Sequence, residues 1–251
     1  MIAIELDNLE FAYPDGAPAL RGISFSIAEG ETVALIGPNG AGKSTLLLHL
    51  NGLLPEDPPR ESRVRVLGKP AVAENLREIR RQVGLLFQDP DDQLFCPTVY
   101  EDVAFGPEQL GLSRAEIDTR VRDALAKVGL GGFEGRSTHH LSGGEKRRAC
   151  LAGVLACESS ILVLDEPTSD LDPRGRREFK QLLRTIPATK IIATHDLEMV
   201  AELCTRAIIL DAGRVVADGP AIDLLSDEPL MLKHGLERPH ILQHLFGQHR
   251  H

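Results

Sequence analysis

Residues 32–50 read Thr-Val-Ala-Leu-Ile, then Gly-Pro-Asn-Gly-Ala-Gly-Lys-Ser-Thr, then Leu-Leu-Leu-His-Leu. The first run is short, apolar and stopped by a glycine, the signature of a buried strand. The last run continues as a helix. Between them, glycines free the backbone N–H groups to wrap an anion, and the helix start adds the positive end of its dipole. Further short apolar runs at 83–87, 161–164 and 191–194 alternate with helical patterns. Strand and helix alternating in this way build a largely parallel α/β sheet.

The loop fits G-x-x-x-x-G-K-[ST] with Gly37, Pro38, Asn39, Gly40, Ala41, Gly42, Lys43, Ser44 and Thr45. In such a loop the lysine reaches β and γ phosphate oxygens and the following hydroxyl ligates Mg²⁺. Polar residues close the other strands. Asp165 and Glu166 follow Ile161-Leu162-Val163-Leu164, Gln88 follows Leu85-Leu86-Phe87, and His195 follows Thr194. Ligands of open α/β sheets sit at carboxyl strand ends. Asp165 is therefore expected to hold the Mg²⁺ shell and Glu166 to polarise water. Gln88 is expected to contact Mg²⁺ or the attacking water, and His195 the γ-phosphate or the Glu166 region. Tyr13, in the turn Tyr13-Pro14-Asp15-Gly16, is placed to stack on a purine.

A second anion site stands at Leu141-Ser142-Gly143-Gly144-Glu145, directly before another helix. One nucleotide does not need two cradles, so the phosphate held by Ser142, Gly143 and Gly144 calls for another explanation. Lys146, Arg147 and Arg148 follow at once and are expected to offset the acid at Glu145.

Elsewhere the pattern from Val99 to Val128 is helical, with breaks expected at Gly106-Pro107 and Gly111 and a new helix capped by Ser113 and Glu116. Net charge is −9 and aromatics make up 4% of the 251 residues, which disfavours nucleic acid as a partner. No apolar run is long enough to span a bilayer, and the amino terminus lacks the basic region of a signal peptide. Cys96, Cys150, Cys157 and Cys204 are scattered and read as reduced thiols, so a cytosolic chain is expected.

In order, residues 37–45, Gln88, 141–145, Asp165-Glu166, 169–172 and Thr194-His195 resemble the nucleotide-binding subunits of ABC transporters. The resemblance runs from Tyr13 to about Leu225. It implies a P-loop NTPase (RecA-like) core over 1–88 and 158–225, with an antiparallel β subdomain. It also implies a helical subdomain over 89–157 carrying the signature, and a tail over 226–251. In that family two ATPase domains pair head to tail, and the LSGG segment of one caps the ATP on the other's loop. This chain departs at Glu145, where glutamine is commoner, and at Asp170, where a small residue is usual.

The stretch from Phe87 through Asp89, Asp91, Asp92 and Phe95 to Pro107 is similar to the energy-coupling-factor ATPases of cobalt and nickel importers, as is Phe11-Ala12-Tyr13-Pro14-Asp15-Gly16. That resemblance implies ATP and Mg²⁺, a second ATPase subunit (a homodimer), a transmembrane coupling protein and a substrate-binding membrane component, at the cytoplasmic face of the membrane. Asp91 and Asp92 are expected to accept arginines from the coupling protein. The alternatives are an importer of vitamins, another transporter ATPase, or a non-transport member of the family. In the tail, His234, His240, His244, His249 and His251 are expected to form a surface or dimer contact rather than a metal site.

Overall fold

The computed structural model describes residues 1–237 and 239. In chain order its strands are β1 (Ile2–Ala12), β2 (Pro18–Ala28), β3 (Thr32–Ile36), β4 (Val64–Val66), β5 (Lys69–Pro70), β6 (Val83–Leu86), β7 (Ile161–Asp165), β8 (Thr189–Ala193), β9 (Arg206–Asp211) and β10 (Arg214–Pro220). Its helices are α1 (Lys43–Leu50), α2 (Leu76–Gln82), α3 (Val99–Gln109), α4 (Arg114–Lys127), α5 (Gly143–Ala156), α6 (Pro173–Thr185), α7 (Leu197–Leu203), α8 (Ala221–Ser226) and α9 (Glu228–Lys233). The chain divides into two compact units, one of Met1–Ile79 with Ala188–His251 and one of Arg80–Pro187.

The first unit holds an antiparallel sheet in the order β2-β1-β4-β5. Its long hairpin turns at 13–16, where the Gly16 amide donates to the Tyr13 carbonyl at 2.8 Å and Gly16 takes φ 84°. Alternation along β2 buries Ile23, Phe25 and Ile27 on one face, as a half-buried strand requires. The same unit carries β3 between β8 and β9, parallel to both, with β10 antiparallel to β9. Residues 33–36 of β3 and all of β8 are buried. Burial on both faces is why they read as unbroken apolar runs. Helix α1 lies against β2, β4 and β8. The β9–β10 hairpin escaped the sequence reading. Its turn residues Ala212 and Gly213 have φ 46° and 75°, a two-residue turn with both centres left-handed. Ala-Gly is a weak signal for such a turn. The glycine is required because a Cβ at 213 would meet the Ala19 carbonyl oxygen at 2.6 Å.

The second unit pairs β6 with β7 in parallel, Val83 against Ile161 through Leu86 against Leu164. Helices α3 and α4 pack on α5, which also lies on β6. Ser113 and Glu116 form the expected capping box on α4. The expected break at Gly106-Pro107 does not occur, because α3 runs through both to Gln109. Proline inside a helix forfeits a hydrogen bond, but here Pro107 is buried with Val103 and Ala104. Gly106 lies so close to Cys157 that a Cβ would fall 2.3 Å from its Sγ. Packing holds the helix where local propensity would end it. The break at Gly111, φ 77°, is present. All four cysteines are free; burial pushes the Cys150 and Cys204 thiols up to about 12, so they remain protonated. Among the described residues no helix is long and apolar enough to cross a membrane.

Gly84 of β6 marks the tightest approach of α5: a Cβ there would lie 2.3 Å from Cγ1 of Val154. Val154 is β-branched and cannot swing aside cheaply. Gly84→Ala is expected to cost about 1–3 kcal/mol, read as a lower urea midpoint. Gly131→Ala, in open space, should leave the midpoint within experimental error.

Candidate functional site

Burial of β3 leaves its carboxyl end as the one place where the strand can deliver polar groups. There Gly37, Gly40 and Gly42 take φ 152°, 77° and 101°. A Cβ at Gly37 would stand 2.0 Å from the Leu210 carbonyl oxygen on β9, and one at Gly42 would stand 2.7 Å from that of Ala19. The loop is thus pressed between backbones that only glycine tolerates. Gly42 caps α1 without a side-chain bond, so the cap itself places no side chain between the helix start and an anion. Lys43 is buried and curls over the loop, its Nζ donating to the carbonyls of Gly37 (2.8 Å) and Pro38 (3.0 Å). Asn39, Gly40 and Ser44 are exposed beside it and Ala41 is buried.

The Tyr13 hydroxyl shares a 2.9 Å hydrogen bond with Thr45 Oγ1, and its ring meets Phe11 edge-on at 5.1 Å. Phe11 in turn meets the buried His49 at 4.7 Å, and burial lowers the His49 pKa. The structure therefore brings Tyr13 to the foot of the phosphate loop, with part of its ring exposed. His195 is exposed just past β8, while Thr194 before it is fully buried and accepts the Asp196 amide at 3.0 Å. Tyr13, residues 37–45 and His195 all belong to the first unit.

The other candidates belong to the second unit. Asp165 ends β7 and Glu166 follows; both are buried. Glu166 adopts φ 44°, a conformation that costs a non-glycine residue energy and persists only where surroundings enforce it. The enforcement comes from Ser169, whose amide (3.1 Å) and hydroxyl (2.9 Å) both donate to the Glu166 carbonyl. Gln88 is exposed after β6. The Gln93 side chain steadies this segment, accepting the Phe87 amide at 3.2 Å and donating to the Cys150 carbonyl at 3.3 Å.

Ser142 caps α5 with Gly143 and Gly144 as its first residues. Glu145 closes a capping box. Its Oε2 accepts the Ser142 amide and hydroxyl, each at 2.7 Å, and the Glu145 amide donates back to Ser142 Oγ at 3.4 Å. These bonds, the backbone one first, hold the Glu145 carboxyl below its usual range.

The sequence profile of the ABC transporter family matches residues 20–169. The chain belongs to the ABC transporter ATP-binding family. It is 49% identical to the energy-coupling factor transporter ATP-binding protein EcfA of Carboxydothermus hydrogenoformans, over 95% of this chain and 88% of that protein. The fold matches CbiO1 of Clostridium perfringens, described as part of the ABC transporter complex CbiONQ, with TM-score 0.80 and 37% identity over 98% of this chain and 99% of that one. It also matches a dimeric ATP-binding cassette in a post-hydrolysis state with ADP and phosphate, with TM-score 0.76 and 29% identity over 87% and 98%. The protein is an ABC ATPase, an enzyme that hydrolyses ATP, with the mixed α/β fold the motifs implied.

Within this ABC ATPase two expectations need correction. Of Lys146, Arg147 and Arg148, only Arg148 favours the Glu145 carboxylate through space, and less than Arg136 does. Lys146 pairs with Asp91 at 2.5 Å, Arg147 turns into the interior, and Arg148 lies 3.7 Å from Glu178. The nearest cation to Glu145 is Arg136, at 3.8 Å. The reason is helical: successive side chains diverge by about 100°. The same pairing gives Asp91 an internal partner, although Asp91 and Asp92 both remain exposed. The sequence places Arg147 only among the three cations after Glu145, and Ser169 only in the 169–172 segment. The stripe Arg147, Cys150, Leu151, Val154 was the available signal, since it places the arginine on the buried face. His234 is half-buried and bonded to Asp211 at 2.8 Å, so it belongs to the folded body rather than a surface tail. His240, His244, His249 and His251 lie outside the described residues.

Ser142→Ala is expected to cost about 1 kcal/mol of stability at neutral pH. The carboxylate of Glu145 has a folded pKa below its ordinary 4.5. Its contribution is therefore complete above that value and lost as pH falls through the folded one. Urea unfolding should show Glu145→Ala destabilised at pH 7 and indistinguishable from wild type at about pH 2.

Proposed function

We propose that this ABC ATPase is the energy-coupling-factor subunit of an importer of a transition-metal ion, cobalt or nickel. It works as a head-to-tail homodimer at the cytoplasmic face of the membrane, with a transmembrane coupling protein and a substrate-binding membrane component. One observation carries this reading beyond ATP hydrolysis. Phe95 and Phe105 pack edge-to-face at 4.8 Å yet are 65% and 41% exposed. They sit beside the acidic segment of Asp89 and Asp92. Two exposed phenylalanine rings in contact are costly in water and mark a surface that is normally covered. A coupling helix with apolar and arginine side chains fits both halves of the patch.

Residues 37–45 cradle the ATP phosphates, Lys43 neutralises the terminal ones, and Tyr13 stacks on the adenine. Ser142, Gly143 and Gly144 cap the γ-phosphate of the ATP bound by the other protomer. Ser44, Gln88 and Asp165 supply only oxygen donors, the hard set that suits Mg²⁺. Mg²⁺ held there would neutralise charge on the phosphate oxygens during transfer. Glu166 takes the proton of the attacking water, and His195 orients the γ-phosphate. Glu145 bears on the cap, because Ser142 must give up its bonds to the carboxylate before its amide and hydroxyl can face a phosphate.

Glu166→Gln is expected to bind ATP normally, to lower kcat by about 100-fold or more, and to accumulate as a dimer with ATP by size-exclusion chromatography. Turnover within twofold of wild type would exclude Glu166 as the base. The double change Phe95→Asp, Asp92→Arg should abolish co-purification with the coupling protein while leaving ATP affinity unchanged. Intact assembly in that variant would remove the docking surface from the proposal.

A further inference from the structure

Arg147 is 1% exposed and among the largest fully buried side chains. Burying a guanidinium costs several kcal/mol, and an apolar residue of similar volume usually serves stability as well or better. Its Nε has no hydrogen-bond partner among the described residues, a further cost of about 1–3 kcal/mol. Stability alone therefore does not account for an arginine here. Its remaining nitrogens do something an apolar side chain cannot. Nη1 donates to the Phe87 carbonyl at 2.9 Å, and Nη2 donates to Ser169 Oγ at 3.0 Å.

Those two acceptors stand next to the two polar strand ends of this unit. Phe87 precedes Gln88. Ser169 closes the turn at Glu166, donating its hydroxyl proton and its amide to the Glu166 carbonyl. Nη2 can only donate, so the Ser169 oxygen accepts there and its single proton goes to the Glu166 carbonyl. The left-handed backbone of Glu166 is thereby held from outside. Asp89, Asp165 and Asp170 surround the guanidinium at longer range and favour its charge. Asp170, unusual for its position, thus has a cation to balance it.

We propose that Arg147 is a positioning residue for ATP hydrolysis. One rigid fork ties the segment leading to Gln88 and the turn that aims Glu166 to helix α5, fixing the separation of the two segments. The inference rests on the reading of Glu166 as the base and Gln88 as a contact of the metal or water. Arg147→Lys keeps the charge but loses the planar fork, and one ammonium on a flexible stem does not hold both acceptors in register.

The test is phosphate release from Mg-ATP by the full chain carrying Arg147→Lys, Ser169→Ala, both changes, or Glu166→Gln. Each of the first two should lower kcat about tenfold with KM for ATP within twofold. The double variant should fall no further than the worse single, because both remove one link. Wild-type kcat in both singles, a rise in KM matching any fall in kcat, or losses that multiply in the double would each overturn the inference. Should Arg147→Lys fail to fold by circular dichroism, Ser169→Ala decides alone, since it leaves the buried guanidinium bonded to Phe87. Glu166→Gln separates the two levels. If it is inactive while Arg147→Lys and Ser169→Ala match wild type, only the positioning role falls. If it turns over normally, the assignment of the base falls and the inference with it.

Discussion

Strand β3 is parallel to both of its neighbours and buried over residues 33–36, so its backbone is satisfied within the sheet and its side chains face only protein. A strand in that position can present chemistry only where it stops. The chain stops it with glycines that let the loop close against the Leu210 and Ala19 carbonyls, and the helix that follows starts at Gly42 with no side-chain cap. The phosphate loop is thus a consequence of how a buried parallel strand must end. The ends of β6, β7 and β8 follow the same logic with Gln88, Asp165 and His195.

Around that frame, anionic side chains repeatedly occupy backbone donors. Glu101, Glu116 and Glu145 close capping boxes on α3, α4 and α5. On the first two helices the box is purely a helix start. On α5 it falls on the LSGG segment, where the donors it consumes are those an ATP phosphate is proposed to take. The physics of capping and of anion binding is the same: backbone N–H groups and a dipole end seeking negative charge. Glutamate in place of glutamine strengthens the internal claim on Ser142, through charge as well as geometry.

Much of the local structure was legible in one dimension because it is built from contiguous segments with local rules. The glycine loop, the capped start of α4 and the apolar runs of β3, β7 and β8 each needed only a short window. Misreadings arose where tertiary packing overrode the window. Helix α3 continues through Gly106-Pro107 because Cys157 packs against the glycine. The β9–β10 hairpin turns on Ala212-Gly213 without a strong turn pair. Three consecutive cations after Glu145 looked like one electrostatic group, but the helix turns Lys146 to Asp91 and Arg147 inward and leaves only Arg148 acting on that carboxylate.

The sequence by itself determined that the chain is an α/β nucleotide-binding protein with a second glycine-rich helix start, because strand ends, glycine loops and helix caps are set by neighbouring residues. Only the tertiary structure decided which charges are spent internally. Lys146 with Asp91, Arg136 nearest Glu145, and Arg147 between Phe87 and Ser169 join positions up to 60 residues apart. No local rule foretells these, since which charges meet depends on how helices and strand ends pack, and that is settled by the burial of apolar faces far from the charges themselves.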